Sequence, residues 1–401
     1  MAGGPVHGDA DRAGEATDAV RRLPRAARGA LLLGAAINVG IGVVIAFHPE
    51  RSVDFDQVIG WSRTWIAGAD PYAAGDSYAD YPPQALVVLA PWALLPDGAA
   101  LPAWVALNLL MAAASALLVA GFVPRGRRDR DVAAAAILLL PPFRTLVQFS
   151  LASFTAGVAG VRLAPRRPRV AGLLIGLSLI KPHIGGPAFL WALVARRWEA
   201  AAWALGTQVA LVGVYLLHAP QSPLALAGRY AEALGRTQNR DDLVRGVTSL
   251  QPLVDGLSLP PLVLQAILAA TLGAALVIVA RRSRADADGG FRFFAAAGLA
   301  SLLVFRHLSY NLLLGLPALI WLAAHPRRHF RLAGVGLGVV LAASLPTVWR
   351  VLADAGVSLP AGLALVAAHG YRAALSVLFL LLLAAPHGAS RPRSAATGDT
   401  I

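Results

Sequence analysis

The chain has 401 residues and a net charge of +13, yet only 14% of its residues are charged and 57% are hydrophobic. A soluble domain carries about 25% charged residues, so this composition excludes a water-soluble globule and indicates an all-α, polytopic membrane protein. The arginines form short clusters between apolar segments, which is typical of cytoplasmic loops and argues against a nucleic-acid partner. The absence of cysteine excludes disulfides and thiol chemistry.

The two ends of the chain are polar. Residues 1–28 end in the basic stretch RRLPRAARG and predict a disordered cytoplasmic tail. A cleaved signal peptide is not expected, because the basic region lies far from the first residue. Residues 386–401 predict a second disordered tail, so that 29–385 would form a single transmembrane domain.

Several segments carry enough apolar residues, about 20, to cross roughly 30 Å of hydrocarbon. If all basic clusters are cytoplasmic, an even number of crossings separates each neighbouring pair. This predicts about 12 spans with both termini inside. The proline-bounded stretch 82–96 is expected to enter the membrane only partly. The long segments are 29–47, 101–123, 200–218, 260–280, 331–349 and 361–385.

Two long polar segments, 48–80 and 219–259, then face the outside. Apolar residues recur at helical spacing in both, which predicts amphipathic helices lying on the outer membrane surface. In the first segment, Asp56 is expected to be solvated, and Asp70 is a turn residue because it precedes Pro71. The spaced residues are Val58, Trp61 and Trp65 in the first segment, and Leu224, Leu226, Tyr230 and Leu234 in the second.

Three apolar intervals between basic clusters are too short for two full spans. Residues 170–180 reach about 16 Å as a helix, and 132–143 and 310–324 are similarly short. Each interval therefore predicts a helix pair that turns back inside the outer half of the membrane. Polar tips at that depth persist only where they line a cavity. Lys181, the only lysine of the chain, lies at one tip beside Pro182, which ends the helix.

These tips offer cations, and the first external segment offers carboxylates. A cation inside the membrane costs about 2.5–3.5 kcal/mol, and a bound phosphate would offset both this cost and the mutual repulsion of the cations. We therefore predict a lipid phosphate opposite Asp54, whose carboxylate could take a proton from an attacking hydroxyl. The predicted binding residues are Lys181, His183, Arg144, Gln148, Arg306, His307, Tyr310, Asn311, Tyr81 and Asp56.

Simpler roles exist for several of these side chains. Lys181 could snorkel to the interface, Arg144 and Arg306 could be interface anchors, and His307 could be a packed histidine. Tyr81 fits the membrane interface better than a sugar-stacking position. A buried cationic cavity also suits a lipid or polar-solute transporter, although no repeated halves are evident, and a non-catalytic assembly subunit is a third alternative. No metal-ligand spacing stands out, so neither metal nor cofactor is expected.

Several stretches resemble a known family. DFDQVIGWSRTWIAGADPY (54–72), followed by YPP (81–83), resembles the start of family 87 of the GT-C glycosyltransferases. These are polyprenyl-phosphate-mannose-dependent mannosyltransferases of actinobacteria, among them the enzyme that extends phosphatidylinositol mannosides. AGLLIGLSLIKPH (171–183), followed by RRW (196–198), is similar to their Lys-Pro segment.

Two further stretches are similar with changes. FRHLSYNLLLGLPAL (305–319) resembles the family's Tyr-Asp-Leu helix start, with Asn311 where Asp is common, and FRTLVQFSLASF (143–154) loosely resembles its Gly-Gln-x-Asn region without the glycine and asparagine. The resemblance implies a GT-C fold and an inverting transfer of a sugar, mannose in this family, from polyprenyl phosphate to a lipid or glycan hydroxyl. It implies no nucleotide sugar, a site on the extracytoplasmic side of the cell membrane, and a catalytic aspartate that matches Asp54.

Overall fold

The computed structural model describes ten parts of the chain, and every regular element in those parts is a helix. The predicted all-α class is therefore confirmed for the described residues. They comprise 24–48, 53–73, 79–122, 127–219, 221–238, 248–250, 261–283, 290–305, 307–343 and 360–386.

The described parts contain fifteen α-helices and two 3₁₀ helices. In chain order the α-helices are α1 Arg25–Ala46, α2 Val53–Ile66, α3 Pro83–Ala93, α4 Asp97–Ala120, α5 Arg127–Leu138, α6 Ser150–Leu163, α7 Pro168–Ser178, α8 Pro182–Val194, α9 Trp198–His218, α10 Pro223–Gln238, α11 Pro261–Ser283, α12 Phe291–Val304, α13 Leu316–Ala323, α14 Arg328–Ala342 and α15 Ala361–Ala384. The 3₁₀ helices are Pro141–Arg144 and Ser309–Gly315.

Among the described residues, four helices are long and apolar enough to cross a membrane: α1, α4, α9 and the part Ala266–Ser283 of α11. They coincide with four of the predicted long segments, and α15 coincides with a fifth. The segment predicted at 331–349 is helical to Ala342, and residues 344–350 lie outside the described parts. The count of about 12 spans stays a prediction.

The boundary of the first tail differs from the prediction. Helix α1 begins at Arg25, so the last residues of the predicted tail 1–28 are helical. Pro24 directly precedes the helix. Backbone N–H groups at a helix start have no partner within the helix, and proline has no N–H to leave unpaired. Residues 1–23 and 387–401 lie outside the described parts.

The short intervals form helix pairs, as predicted. Helices α7 and α8 contain 11 and 13 residues, fewer than the roughly 20 of a full span. The break between them follows from Pro182, because the residue before a proline avoids the helical conformation. Lys181 accordingly has φ −126° and ψ 86°, and Pro182 begins α8. The stretch 82–96 forms α3, a helix of 11 residues.

Helix α7 lies between α6 and α9. A Cβ at Gly172 would fall 2.5 Å from the Ala200 carbonyl oxygen, and one at Gly176 would fall 2.9 Å from that of Ala204. Small residues of this kind allow two membrane helices to approach closely. The helix that leads to Lys181 is thereby held firmly against its neighbour.

The two predicted amphipathic helices, α2 and α10, are present. Val58 of α2 is buried in the protein, whereas Leu224 of α10 is 84% exposed. Trp65 is only 5% exposed and stacks on Tyr215 with ring centroids 5.5 Å apart. Its indole N–H donates to the Tyr215 carbonyl at 3.3 Å. Leu226 of α10 is buried in the same cluster. The ring and the N–H of Trp65 therefore both find partners inside the protein instead of facing lipid or water.

Candidate functional site

The candidate site forms where described residues of the polar segment 48–80 meet the tips of the helix pairs. Asp54 lies in the first turn of α2, where carboxylates interact favourably with the helix dipole. The buried amide of Gln148, which follows the first 3₁₀ helix, donates a hydrogen bond to the Asp54 carboxylate. Two residues predicted separately are therefore direct partners.

Lys181 is 6% exposed and lies between two aromatic rings. Its Nζ is 5.2 Å from the ring centroid of Tyr81 and 5.1 Å from that of Tyr310. An ammonium group is attracted to the face of such rings, most strongly away from water. The carboxylates of Asp80 and Asp54 are close enough to interact electrostatically with this ammonium group. The only lysine and the predicted base thus belong to one site.

Tyr81 belongs to this site through contacts within the protein, which the preference for the membrane interface did not predict. Its ring contacts Phe149 edge-on at 5.6 Å as well as Lys181. Its backbone carbonyl accepts a hydrogen bond from the Tyr72 hydroxyl at 2.8 Å. The sequence could not show this, because the preference of tyrosine for the interface competes with its affinity for a buried cation.

Asp80 is a site residue that the sequence did not single out. It was one of several acidic residues in the polar segment 48–80, and its position directly before Tyr81 was the only available signal. Burial raises the pKa of the Asp80 carboxyl, and the charge of Lys181 opposes part of that effect. Asp80 therefore gives the site a second acidic group with its own protonation behaviour.

Helix α10 forms hydrogen bonds to the backbone on the N-terminal side of Tyr81. The Tyr230 hydroxyl donates to the Asp80 carbonyl at 3.3 Å, and the Arg236 guanidinium donates to the Tyr72 carbonyl at 3.1 Å. Asp70 accepts the Tyr72 N–H at 2.9 Å, which confirms the predicted turn. The same carboxylate forms an ion pair with Arg229 of α10. Helix α10 therefore helps to position the chain between Asp70 and Asp80.

The tip between α12 and α13 contains His307 and Asn311, which belong to a buried chain of hydrogen bonds. The Ser150 hydroxyl donates to the side-chain oxygen Oδ1 of Asn311 at 2.7 Å, and the side-chain nitrogen Nδ2 of Asn311 lies 3.0 Å from His307 Nδ1. Because an amide N–H can only donate, Nδ1 accepts and Nε2 donates to the Ser301 carbonyl at 3.1 Å. Both nitrogens of His307 are therefore used within the protein, as in the alternative of a packed histidine.

His183 lies on this chain at the start of α8. Its ring packs edge-on against His307 with centroids 4.7 Å apart, and its backbone carbonyl accepts a hydrogen bond from the Ser301 hydroxyl at 2.6 Å. This arrangement ties the Lys181–Pro182 tip to helix α12. Ser150 and Ser301, which the sequence did not indicate, supply two of the links.

Arg144 has a partner away from Lys181. Its guanidinium donates to the Asn38 side chain of α1, and the Asn38 amide donates to the Leu138 carbonyl at 2.7 Å. Arg144 therefore faces α1, where the buried Asn38 amide needs a partner, and the described contacts do not bring it to Lys181. Arg306 lies outside the described residues. Asp56 has an exposed side chain, in agreement with the prediction.

Taken together, the described site pairs a carboxylate, held by an amide, with a buried ammonium group between two tyrosine rings. The carboxylate can accept a proton from a hydroxyl. The ammonium group can stabilise a negative charge that develops on a leaving group in surroundings of low polarity. Such an arrangement suits the transfer of a group from an anionic leaving group to a hydroxyl.

Comparison with known proteins gives one match. The family model described as Glycosyltransferase family 87 matches residues 78–306, more than half of the chain. The matched range includes Tyr81, Gln148 and Lys181, whereas Asp54 and Tyr310 lie on either side of it. Comparisons with curated proteins and with solved structures found no match.

Proposed function

Because the chain belongs to glycosyltransferase family 87 and is therefore a membrane glycosyltransferase, we propose that it transfers mannose from a polyprenyl-phosphate donor to a hydroxyl of a lipid or glycan acceptor. Family membership favours an enzyme over the transporter and assembly-subunit alternatives. The proposed site faces the extracytoplasmic side of the plasma membrane, within a GT-C fold of about 12 spans. The juxtaposition of Asp54 and Lys181 carries the proposal.

In the proposed reaction Asp54 is the general base. It takes the proton of the acceptor hydroxyl while that oxygen forms a bond to the anomeric carbon of the sugar. The bond from the anomeric carbon to the phosphate oxygen breaks on the opposite face, which inverts the configuration. The electron pair leaves with the polyprenyl phosphate, and the proton stays on Asp54 until it passes to water.

Lys181 is the proposed ligand of the donor phosphate. Its ammonium group is buried, and the charge that grows on the departing phosphate strengthens the attraction in the transition state. The tyrosine rings hold the ammonium group from the sides, so that its N–H donors can face the phosphate. Snorkelling to the interface does not explain this burial.

Apart from Gln148 and the two tyrosines, the other predicted ligands of the donor or acceptor divide into two groups in this proposal. His183, Asp56 and Arg306 stay candidates for contact with donor or acceptor. His307, Asn311 and Arg144 instead support the site, because their polar atoms are bonded to neighbouring parts of the chain. The hydrogen bonds of His307 with Asn311 and with the Ser301 carbonyl support this supporting role, as does the hydrogen bond from Arg144 to Asn38 of α1.

The proposal is tested with purified protein, radiolabelled polyprenyl-phosphate-mannose and a total lipid extract, with the products identified by mass spectrometry. Wild type should yield a mannosylated product, and Asp54→Asn should abolish transfer while donor binding remains. Asp97→Asn is a matched control, because Asp97 is 88% exposed and pairs with Arg63 away from the site. A donor that is never consumed, or a product formed equally by Asp54→Asn, would overturn the proposal.

A further inference from the structure

Gln148 combines burial with a single directed contact. Its side chain is 3% exposed, and a buried amide requires hydrogen-bond partners. Because an ionised carboxylate only accepts hydrogen bonds, the amide must present its NH₂ group to Asp54. That contact is made to Oδ2. The Asp54 side chain is exposed, so an incoming hydroxyl can reach the other carboxylate oxygen, Oδ1.

The backbone around this pair is fixed by an aromatic cluster. The rings of Phe55 and Phe149 are nearly parallel, with centroids 6.2 Å apart, and Trp104 packs against Phe149 at 4.4 Å. The Trp104 indole N–H also donates to the Val147 carbonyl at 3.1 Å. The residues on both sides of Gln148 are thus held, as is the residue that follows the carboxylate.

The same cluster connects the two halves of the site. Phe149 packs edge-on against Tyr81 at 5.6 Å, and the Tyr81 ring in turn lies over Lys181. The dipeptide Gln148–Phe149 therefore touches the carboxylate through its first residue and the aromatic surroundings of the ammonium group through its second. A change at this dipeptide alters the placement of the base relative to the leaving group.

We infer that Gln148 is a positioning residue of the transfer reaction, which holds the Asp54 carboxylate in one orientation so that Oδ1 accepts the proton of the acceptor hydroxyl. This inference rests on the proposed function. It replaces the expectation that Gln148 binds substrate, because the NH₂ group of its buried amide donates to Asp54. A carboxylate free to rotate would spend only part of its time in the reactive orientation, and the reaction would slow accordingly.

The first test compares Gln148→Leu with wild type in the transfer assay with polyprenyl-phosphate-mannose and a total lipid extract. Loss of a hydrogen bond to a charged group should lower kcat about tenfold to hundredfold, while the Kd for the donor changes less than about twofold. Asp97→Asn is the control, because Asp97 is 88% exposed and pairs with Arg63 away from the site, and it should leave kcat unchanged.

The second test uses Gln148→Glu, which keeps the size of the side chain. At high pH the new carboxylate repels Asp54, and at lower pH it becomes protonated and can donate the missing hydrogen bond. The activity of this variant relative to wild type should therefore rise as the pH falls from about 8 to about 5.5. A purely structural role of Gln148 predicts no such recovery. This variant also decides the question if Gln148→Leu does not fold, as judged by size-exclusion chromatography and thermal unfolding.

The outcomes separate this inference from the proposed function. If wild type transfers mannose but Gln148→Leu keeps its kcat, or Gln148→Glu shows no relative gain at low pH, the positioning role is wrong and the proposed function stands. If Gln148→Leu loses donor affinity with little change in kcat, the residue binds substrate and the inference is also wrong. If wild type transfers nothing, both the proposed donor and this inference fall.

Discussion

The ammonium group of Lys181 lies 5.1 Å from the ring centroid of Tyr310, and the two residues come from different helix pairs. This contact brings the tip between α7 and α8 next to the tip before α13. Since Tyr81 covers the ammonium group from another side at 5.2 Å, the charge is surrounded by polarisable rings rather than by water. The helix breaks are therefore parts of one site, whose tertiary contacts lead to four predictions.

Removal of the charge of Lys181 should weaken donor binding. Lys181→Ala loses a charge-assisted contact to phosphate, and we expect the Kd for polyprenyl-phosphate-mannose to rise at least about tenfold. Lys181→Arg should recover only part of the affinity, because the planar guanidinium does not fit the space of an ammonium group between two rings. Arg169→Ala, at an exposed arginine paired with Glu199, is the control. Equal donor affinity in Lys181→Ala and wild type would exclude the phosphate role.

The rings beside Lys181 should matter more than their hydroxyl groups. Tyr81→Phe and Tyr310→Phe keep the ring face and should bind donor about as well as wild type, whereas Tyr81→Leu and Tyr310→Leu should raise the Kd about twofold to thirtyfold. Donor binding can be measured by equilibrium retention of radiolabelled polyprenyl-phosphate-mannose. If the phenylalanine variants lose as much affinity as the leucine variants, the hydroxyl groups rather than the ring faces hold the ligand.

Asn311 should contribute strongly to stability through its two hydrogen bonds. Asn311→Leu leaves the Ser150 hydroxyl and His307 Nδ1 without their partner, and each buried group left unpaired costs about 1–3 kcal/mol. We expect a clearly lower thermal unfolding midpoint in detergent micelles. Ser150→Ala removes one contact and should have a smaller effect, in the same direction. A midpoint equal to that of wild type for Asn311→Leu would show that the buried chain contributes no net stability.

The effect of Asp80 on stability should depend on pH. Because burial raises the pKa of Asp80 in the folded protein, the protonated carboxyl favours folding at low pH, and this contribution is lost as the pH rises through the folded pKa. Asp80→Asn carries no charge at any pH. The variant should therefore gain stability relative to wild type as the pH rises from about 4 towards neutrality. A difference in unfolding midpoint that does not vary with pH would contradict the raised pKa.

Several features of this protein follow from the sequence alone. The scarcity of charge and the long apolar segments determine a helical membrane protein, because the bilayer requires each backbone polar group to be paired within its own segment. Pro182 determines the helix break at Lys181, and Asp70 before Pro71 determines a turn. These are local effects of backbone chemistry and hydrophobicity, so they can be read without knowledge of distant residues.

Only the tertiary structure decided which polar groups meet. It paired Gln148 with Asp54, turned Arg144 towards Asn38 of α1, placed Tyr81 over Lys181 and brought Asp80 into the site. The reason is that the partner of a buried polar side chain depends on which helix faces come together, and periodicity and composition do not encode that choice. The sequence determines that buried cations and carboxylates need partners, and the packing of the helices determines which ones they find.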